Sequence, residues 1–367
     1  GGGLYAGGFA YISPDNFNFA RAVEFLSMVL LGGVQSPFGG ALGTTLLILL
    51  PEWLKEMPPS LQFIKDVYLA IYGLAVILIM VFMPEGIWGL LRNGWKKFRT
   101  ALPVDTSGIT PLNLDIAVAE TTPLLKLEGM QKYFGGLRAL DGIDLEVSRG
   151  TVHALIGPNG SGKTTMLNVV NGIYKPTGGR IIIDGNDVTQ KSPHERAAHG
   201  LGRTFQNIRL FPSMSALENV IVGAQRDNNP IEPGGKALRA RAMSALQFVG
   251  LADQANAIVR SLPYGHQRLV EIARALAGHP KLLLLDEPAA GLNQTEKMEL
   301  VALLKKLRSG HGLTIFLIDH DMGLVEKVSD RITVLNFGKK IAEGTPLEVL
   351  RHPDVIAAYL GDSNAAA

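Results

Sequence analysis

The stretch GPNGSGKTT, at residues 157–165, fits the pattern G-x-x-x-x-G-K-[ST]. The apolar residues 152–156 before it have the length of a strand, and residues 164–170 after it read as a helix, so both required flanks are present. Gly160 and Gly162 let the backbone turn until its N–H groups face phosphate oxygens, and the helix start adds the positive end of a dipole. The stretch therefore predicts a phosphate-binding loop between a buried strand and a helix.

The side chains of this loop have separate predicted tasks. Lys163 reaches the β- and γ-phosphates of a nucleotide, and the hydroxyl of Thr164 binds Mg²⁺. Ser161 and Thr165 are further candidates for phosphate contacts. An ordinary glycine-rich turn is the alternative, and the two flanks argue against it. The loop thus indicates a nucleoside triphosphate with Mg²⁺ as its ligand.

A pair of adjacent acids ends the apolar run LLLLDEP at residues 282–288. We expect Asp286 to hold Mg²⁺ through water and Glu287 to polarise the water that attacks the γ-phosphate. Two acids after a strand are commonly only a solvated turn, so this interpretation depends on the loop at 157–165. Taken together, the two motifs predict nucleotide hydrolysis.

Three further polar motifs add candidate site residues. Gln206 in RTFQN could orient water or contact Mg²⁺, and His320 in LIDHD follows a strand and could hydrogen-bond the γ-phosphate. Each of these two, by itself, is more often a surface polar residue. The stretch LPYGHQR at residues 262–268 precedes a helix, which places Gly265 and His266 at the helix N-terminus. That terminus is a second candidate anion site.

The order of apolar segments from residue 124 onward predicts an α/β domain. Strand-length apolar runs alternate with helical stretches and glycine-rich turns, which is typical of a largely parallel sheet. Between residues 211 and 277 the pattern is mostly helical, and Ser215 with Glu218 forms a capping-box signature. We therefore expect a helical insertion within the α/β core.

The front of the chain is apolar and predicts membrane helices. Residues 67–83 form an uncharged run close to the length that a membrane-spanning helix needs, although a buried helix of a soluble domain is the alternative. Residues 41–54 read as a second, shorter spanning segment, and residues 19–31 read as a third apolar helix. Interfacial aromatic and basic residues after the main run indicate its cytoplasmic end: Trp88, Arg92, Trp95, Lys96, Lys97 and Arg99.

Composition limits the classes of function and the domain plan. Lys and Arg number 35 against 33 Asp and Glu, so the net charge of +2 gives no electrostatic case for a nucleic-acid partner. The absence of cysteine excludes disulfides, thiolate metal sites and cysteine nucleophiles. Pro, Thr and Ser without periodicity mark residues 100–123 as a linker. The chain starts without Met, so we expect a fragment or a processed product.

In this order along the chain, the loop at 157–165, Gln206, LPYGHQR, LLLLDEP and LIDHD make residues 124–361 resemble an ABC transporter ATP-binding domain. The resemblance implies an α/β P-loop ABC ATPase domain, with a RecA-like core and a helical subdomain, that binds ATP and Mg²⁺. More narrowly, the segments VTQKSPHERAAHGLGRTFQNIRLFPSMSALENVIVGA, PAAGLN and GKKIAEGTPLEVLRHPDVIAAYLG look like the ATP-binding subunits of branched-chain amino acid importers.

The resemblance assigns the family's roles to residues of this sequence. The catalytic residues it implies are Glu287, His320 and Gln206. The Mg²⁺ ligands it implies are Thr164, Gln206 and Asp286. The nucleotide-binding residues it implies are Phe134, Gly157, Asn159, Gly160, Ser161, Gly162, Lys163, Thr164, Thr165, Tyr264, Gly265 and His266. Phe134 is preferred to Tyr133 as the aromatic on which adenine stacks, with core packing as the alternative reading.

Three positions depart from the family's pattern. Pro263 and His266 stand where the signature motif usually has Ser and Gln, so phosphate binding there would depend on the backbone amides after Tyr264. Asn293 stands where the loop after the paired acids usually has Asp, and it keeps an acceptor oxygen without the charge. We expect these changes to affect how two such domains communicate.

The resemblance also implies a domain plan, partners and a location. Residues 1–99 look like the C-terminal transmembrane helices of the permease, followed by the linker at 100–123, the ATP-binding domain at 124–361 and a tail at 362–367. The implied partners are a second ATP-binding domain, membrane permease subunits and a periplasmic or extracellular solute-binding protein, with no nucleic acid. The implied location is the inner membrane of a prokaryote, with the ATPase domain on the cytoplasmic face.

Several functions remain open at this stage. The favoured one is the ATP-hydrolysing subunit of an importer for branched-chain amino acids. Related importers take urea, other amides or other small polar solutes, and the sequence assigns no residue that contacts the solute. An exporter ATPase, a non-transport ABC ATPase and a regulatory nucleotide-binding module without turnover are the rivals. Glu287 and His320 favour turnover, and the apolar run at 67–83 argues against the non-transport class.

Overall fold

The computed structural model describes residues 19–33, 36–55, 109–112, 122–225 and 235–360, and the isolated positions 74, 77, 86, 88, 89, 94, 114 and 116. The chain divides into two compact units, Gly1–Leu102 and Pro103–Ala367. The predicted membrane helix at 67–83 lies outside the described residues, apart from positions 74 and 77. The predicted tail at 362–367 also lies outside them.

The first unit contains a glycine-mediated helix pair, α1 (Phe19–Gly32) and α2 (Pro37–Lys55). A Cβ atom added at Gly32 would lie 1.8 Å from the carbonyl oxygen of Gly39, and one added at Gly43 would lie 2.0 Å from that of Met28. Only glycine therefore permits this close approach of the two backbones. Within the described ranges, no single helix is long and apolar enough to cross a membrane, while the pair Phe25–Gly32 and Pro37–Leu49, bent by 120°, meets that test when taken together.

The second unit holds two sheets. The strands are β1 (Leu125–Phe134), β2 (Leu137–Val147), β3 (Val152–Ile156), β4 (Gly178–Ile183), β5 (Asn186–Asp187), β6 (Leu201–Arg203), β7 (Leu282–Asp286), β8 (Thr314–Ile318), β9 (Arg331–Asn336) and β10 (Lys339–Gly344). An antiparallel sheet has the order β2-β1-β4-β5, and a second sheet has the order β10-β9-β3-β8-β7-β6. In the second sheet β9, β3, β8, β7 and β6 run parallel, and β10 closes one edge as the antiparallel partner of β9.

The helices of the second unit surround these sheets. They are α3 (Lys163–Val170), α4 (Pro193–Ala198), α5 (Ala216–Ala224), α6 (Gly235–Phe248), α7 (Tyr264–Ala277), α8 (Gln294–His311), α9 (Met322–Val328), α10 (Pro346–Leu350) and α11 (Pro353–Leu360). Every residue of β3, β7 and β8 is buried, as expected for parallel strands covered on both faces. This arrangement confirms the predicted α/β domain with a largely parallel sheet.

The predicted helical insertion is also present. Helices α5, α6 and α7 pack on one another through a cluster that includes Leu217, Leu246 and Ile272. The predicted capping box begins α5, where the Glu218 amide donates to the Ser215 hydroxyl at 3.2 Å. Leu112 and Leu114, from the segment predicted as a linker, are buried in the same cluster. Part of that segment therefore contributes to the core of the second unit.

The strand order explains why distant motifs meet. Strands β3, β8 and β7 are neighbours in the parallel sheet, so their carboxyl ends lie side by side. These ends carry Gly157, Asp319 and Glu287 as the next residues along the chain. In α/β sheets ligands bind outside the carboxyl ends of the strands. The fold therefore places the phosphate loop, the paired acids and the LIDHD motif at one edge.

Burial of His153 on β3 predicts loss of stability in mild acid. The ring is 1% exposed, its Nε2 lies 2.8 Å from the hydroxyl of Thr333, and burial lowers its pKa from 6.5 to about 4. Glu343 opposes this shift, while Arg331 and Lys340 add to it. An unfolded chain keeps the higher pKa and binds the proton first, so stability falls as pH drops from 6.5 toward 4. We expect a loss of about 2 kcal/mol between about pH 7.5 and about pH 5.

Urea unfolding of the full chain at the two pH values measures this loss. The variant His153→Gln keeps a side chain that can hydrogen-bond Thr333, and its unfolding midpoint should depend much less on pH. The matched control is His194→Gln, at an exposed histidine of α4, and it should keep the pH dependence of the parent. An unchanged pH dependence in His153→Gln would contradict this assignment.

Candidate active site

A cavity of about 510 Å³ opens at the carboxyl edge of the parallel sheet. The structure brings together here most of the residues that the sequence singles out. The lining residues are Phe134, Leu137, Arg138, Ala139, Asn159, Gly160, Ser161, Gly162, Lys163, Thr164, Thr165, Gln206, Glu287, His320 and Phe337. Two predicted residues are not among the lining residues: Gly157 lies at the base of the loop, two positions before Asn159, and Asp286 ends β7 directly before Glu287.

The phosphate loop takes its shape from three glycines with positive φ. Gly157, Gly160 and Gly162 have φ values of 150°, 79° and 106°. A Cβ atom on Gly157 would lie 2.1 Å from the carbonyl oxygen of Leu335, and one on Gly162 would lie 2.4 Å from that of Ala139. The loop therefore lies directly against the strands on both sides, and α3 begins from it at Lys163. Helix N-terminal amides and the helix dipole then favour an anion in the cavity.

The ammonium group of Lys163 is fixed at the wall of the cavity. Its side chain is largely buried, and Nζ donates to the carbonyl oxygens of Gly157 at 2.7 Å and Pro158 at 2.8 Å. Burial lowers the pKa of Lys163. A lysine has three N–H donors, so two backbone acceptors leave one donor for another oxygen. A cation held this way by its own loop is suited to binding a phosphate oxygen.

Gln206, Glu287 and His320 meet at a single carboxylate. Gln206 Nε2 donates to Glu287 Oε2 at 2.9 Å, and His320 Nε2 lies 2.5 Å from Glu287 Oε1. These partners are 81 and 33 positions away in the sequence. Glu287 has a φ of 48°, a left-handed conformation that is unusual for a non-glycine residue, and its amide donates to Ile318 at 2.7 Å. The end of the sheet thus holds Glu287 in an uncommon conformation that directs its carboxylate into the cavity.

Asp286 presents a different carboxylate behind the loop. It is 3% exposed, and its Oδ2 pairs with Arg203 Nη2 at 3.2 Å. Burial raises the pKa of Asp286, and Arg203 opposes that rise. Its Oδ1 has no hydrogen-bond partner among the described residues. Mg²⁺ in phosphate sites takes few protein oxygens together with waters and phosphates, so Asp286 and the hydroxyl of Thr164 fit such an ion.

Phe134 and Tyr133 are the two candidates for stacking on the adenine ring, and their environments differ. Phe134 is 42% exposed and lines the cavity, with the ring of Tyr174 edge-on at 5.4 Å and Lys132 Nζ 4.8 Å from its centroid. Tyr133 is not among the lining residues, and its hydroxyl donates to Asp141 Oδ1 at 2.9 Å. Of these two aromatic residues, only Phe134 therefore lies on the wall of the cavity.

The LPYGHQR residues lie outside this cavity. Pro263 caps α7, which begins at Tyr264, and His266 Nδ1 lies 3.0 Å from Gln254 Oε1. A Cβ atom on Gly265 would lie 2.4 Å from Glu296 Oε1, so the α7 N-terminus packs against the start of α8. Within the described part of one chain, Tyr264, Gly265 and His266 do not share the cavity with the phosphate loop.

Asn293 also has a structural role. It caps α8, with its Oδ1 accepting from the Glu296 amide at 3.0 Å and its own amide donating to Glu296 Oε2 at 2.8 Å. Asn and Asp are comparable caps, so the exchange of Asp for Asn at this position preserves the start of the helix. The departure from the family's pattern thus leaves local structure intact.

A buried ion pair on α7 holds the loop that carries Gln206. Arg268 pairs with Glu271 at 2.9 Å and donates to the carbonyl oxygens of Phe205 at 2.7 Å and Gln206 at 2.8 Å. Glu271 Oε1 accepts from the amides of Phe205 at 3.3 Å and Arg209 at 3.4 Å. Burial raises the pKa of Glu271 although Arg268 lies beside it. The side chains of Arg268 and Glu271 on the LPYGHQR helix therefore hold the backbone of the Gln206 loop.

The motifs in the sequence assign no role to this network, to Arg203 or to Asp319. Asp319 is buried, which raises its pKa, and it accepts from the amides of Ala289 at 3.0 Å and Asp321 at 2.9 Å. One signal was available, because Glu271 interrupts the apolar face of a helix whose buried residues include Val270, Ile272 and Leu276. A charged residue at such a position requires a buried partner.

Known proteins with similar sequences identify the family of this chain. The chain is 44% identical over 252 residues to the high-affinity branched-chain amino acid transport ATP-binding protein BraF of Pseudomonas aeruginosa, covering 66% of this chain and 99% of that protein. The chain belongs to the ATP-binding-cassette family. The family description "ABC transporter" matches residues 140–290, and "Branched-chain amino acid ATP-binding cassette transporter" matches residues 339–364.

Further relatives agree with this membership. The Escherichia coli protein LivG, a high-affinity branched-chain amino acid transport ATP-binding protein, is 43% identical over 253 residues, which are 66% of this chain and 99% of LivG. The ADP conformation of MJ1267, an ATP-binding cassette of an ABC transporter, superposes with a TM-score of 0.61 at 33% identity, covering 66% of this chain and all of that one. The second unit thus has the P-loop ABC ATPase fold, and the chain is an ATPase.

Proposed function

We propose that this chain is the energy-coupling ATPase subunit of an importer for branched-chain amino acids. We propose further that MgATP binds in the cavity described above, at the carboxyl edge of the parallel sheet. The observation that carries the proposal is the meeting of Lys163, Gln206, Glu287 and His320 at one cavity, in a chain 44% identical to the transport protein BraF. The cationic loop accounts for phosphate binding, and the carboxylate accounts for activation of water.

The residues of the cavity divide the hydrolysis between them. The loop amides and Lys163 hold the β- and γ-phosphates, and the ring of Phe134 stacks on adenine. Glu287 accepts a proton from the attacking water, while Gln206 and His320 orient its carboxylate through the hydrogen bonds described above. Thr164, Asp286 and Gln206 would hold Mg²⁺. When bound, that ion neutralises charge that develops on the phosphate oxygens.

A second copy of the domain is needed to complete each site. Tyr264, Gly265 and His266 lie outside the cavity of their own chain, and a helix N-terminus of this kind favours an anion. In the proposed head-to-tail pair, they face the γ-phosphate bound by the partner. Pro263 supplies no N–H, so the backbone amides after Tyr264 make these contacts. A dimeric post-hydrolysis structure of the cassette MJ0796, 31% identical with a TM-score of 0.55 over 60% of this chain and 98% of that one, supports the pairing of two such domains.

When the two ATP-binding domains close on ATP, the movement is transmitted to the membrane subunits through the loop that carries Gln206. The contacts of Arg268 and Glu271 with the backbone of residues 205, 206 and 209 make α7 and this loop move together. Permease subunits that contact the helical insertion would then change conformation with ATP binding and hydrolysis. Residues 1–99 would supply the end of a permease domain, ahead of the linker at 100–123, the ATP-binding domain at 124–361 and the tail at 362–367. The complex lies in the inner membrane of a prokaryote, with the ATPase on the cytoplasmic face.

The solute is the part of the proposal that needs a direct test. We expect ATP hydrolysis by the full complex in liposomes to rise when a solute-binding protein loaded with leucine is added. Binding protein loaded with urea, and binding protein without solute, are the comparisons, and a complex carrying Glu287→Gln is the catalytic control. Stimulation by another solute alone would keep the ATPase and overturn the branched-chain assignment. Hydrolysis that responds to no binding protein would favour an exporter or a non-transport ATPase.

A further inference from the structure

The turn between β9 and β10 carries an aromatic residue in an unfavourable conformation. Asn336 pairs with Lys339, so only Phe337 and Gly338 form the loop of this hairpin. Their φ values are 45° and 74°, which is the pattern of a type I′ turn. Such turns strongly favour Asn before Gly, because the first position needs a positive φ. Phenylalanine is a poor choice for the local backbone.

Packing within the described residues gives no compensation for this choice. The side chain of Phe337 is 83% exposed, the highest exposure among the large hydrophobic residues that the structure describes. It therefore gains little from burial in its own chain. A residue that is both strained and exposed points to a role in binding rather than in folding.

The position of the turn identifies what Phe337 could bind. Its ring lines the same cavity as the phosphate loop and Phe134. The turn is fixed to both neighbours, since the Gly338 amide donates to the carbonyl oxygen of Ser161 at 3.0 Å and its carbonyl accepts from the Asp141 amide at 2.8 Å. A Cβ atom on Gly338 would lie 2.8 Å from the carbonyl oxygen of Arg138. Phe337 is thus carried between the phosphate loop and the β2 segment at 137–139 that also lines the cavity.

We infer that Phe337 is a second aromatic contact for the nucleoside of the bound nucleotide, in addition to Phe134. This inference rests on the proposed function of the cavity as an ATP site. The cavity lining near the turn consists of the charged Arg138 and the apolar Leu137 and Ala139, and Phe337 itself has no polar atom, so its contact is made with ring faces and the ribose rather than with hydrogen-bonding edges of the base. The strained turn is retained because it presents the ring to the ligand.

The variant Phe337→Asn separates this role from a structural one. Asparagine suits the turn, so the thermal unfolding midpoint of the full chain should rise by about 2 °C. The affinity for MgATP, measured by calorimetry, should fall about tenfold, because one stacking contact is lost. Binding of inorganic triphosphate with Mg²⁺ should be unchanged, because it has no nucleoside. Phe337→Tyr should keep the affinity of the parent, and Leu347→Ala, at an exposed apolar residue outside the cavity, is the control.

The outcomes distinguish failure of this inference from failure of the proposed function. If the parent chain binds no MgATP, the proposed function fails. If the parent binds and Phe337→Asn binds equally well, only the inference about Phe337 is overturned. An equal loss of affinity for ATP and triphosphate would overturn it as well, because Phe337 would then act through the phosphate loop. A fall in the unfolding midpoint with unchanged ATP affinity would assign Phe337 to the fold.

Discussion

Glu287→Gln is expected to lower the rate of ATP hydrolysis by at least about a hundredfold, which is the usual contribution of a general base. A glutamine amide keeps the size of the side chain and an acceptor oxygen for Gln206, but it cannot take a proton from water. The left-handed backbone conformation at position 287 is equally unfavourable for glutamate and for glutamine, so the substitution adds no backbone strain. Phosphate release by the assembled complex measures the rate, and MgATP binding should be retained.

The control for this variant is Glu326→Gln, at an exposed position of α9 outside the cavity. It should hydrolyse ATP at the rate of the parent. If turnover in Glu287→Gln were undiminished, the base would lie elsewhere, and the contacts of Gln206 and His320 with Glu287 would have to be explained as structural. If MgATP binding were lost together with turnover, Glu287 would be assigned to nucleotide binding instead.

Lys163→Ala is expected to weaken MgATP binding by about a hundredfold. The reason is that charge-assisted hydrogen bonds to phosphate contribute about 3 kcal/mol, and each 1.4 kcal/mol corresponds to a tenfold change. The fold should persist, because alanine is the best helix former and Lys163 stands at the start of α3. Removal of a buried ammonium also leaves no uncompensated charge. Calorimetry on the full chain measures the affinity.

Lys305→Ala provides the comparison, because Lys305 is exposed on α8 and outside the cavity. It removes the same charge and should leave the affinity for MgATP unchanged. Equal losses in the two variants would mean that net charge, rather than the position of Lys163, governs binding. Retained affinity in Lys163→Ala, with an unchanged unfolding midpoint, would contradict the proposed role of the loop.

The part of the site that follows local rules could be predicted from the sequence. The loop at 157–165 is recognisable because its glycines, lysine and flanking apolar runs are adjacent in the chain. The strand runs that end at Ile156, Asp286 and Ile318 are each buried along their whole length, so their apolar composition is a reliable signal. Parallel pairing then puts their carboxyl ends together without any further information.

The part that depends on contacts between distant segments could not be predicted. Glu271 stands out in the sequence as a charge on the apolar face of its helix, but only the folded chain shows that Glu271 and Arg268 hold the backbone of residues 205–209. Phe337 has no recognisable motif, because its meaning comes from a positive φ and from its place in the cavity wall. Each of these features arises from three-dimensional proximity.

The central claim is that one cavity both binds ATP through Lys163 and hydrolyses it through Glu287. MgATP binding and phosphate release, measured on the same preparations of the parent, Lys163→Ala and Glu287→Gln, test it most directly. The account predicts that Lys163→Ala loses binding and turnover together, while Glu287→Gln binds like the parent and hardly turns over. Parent-like turnover in either variant, or loss of binding in Glu287→Gln alone, would contradict it.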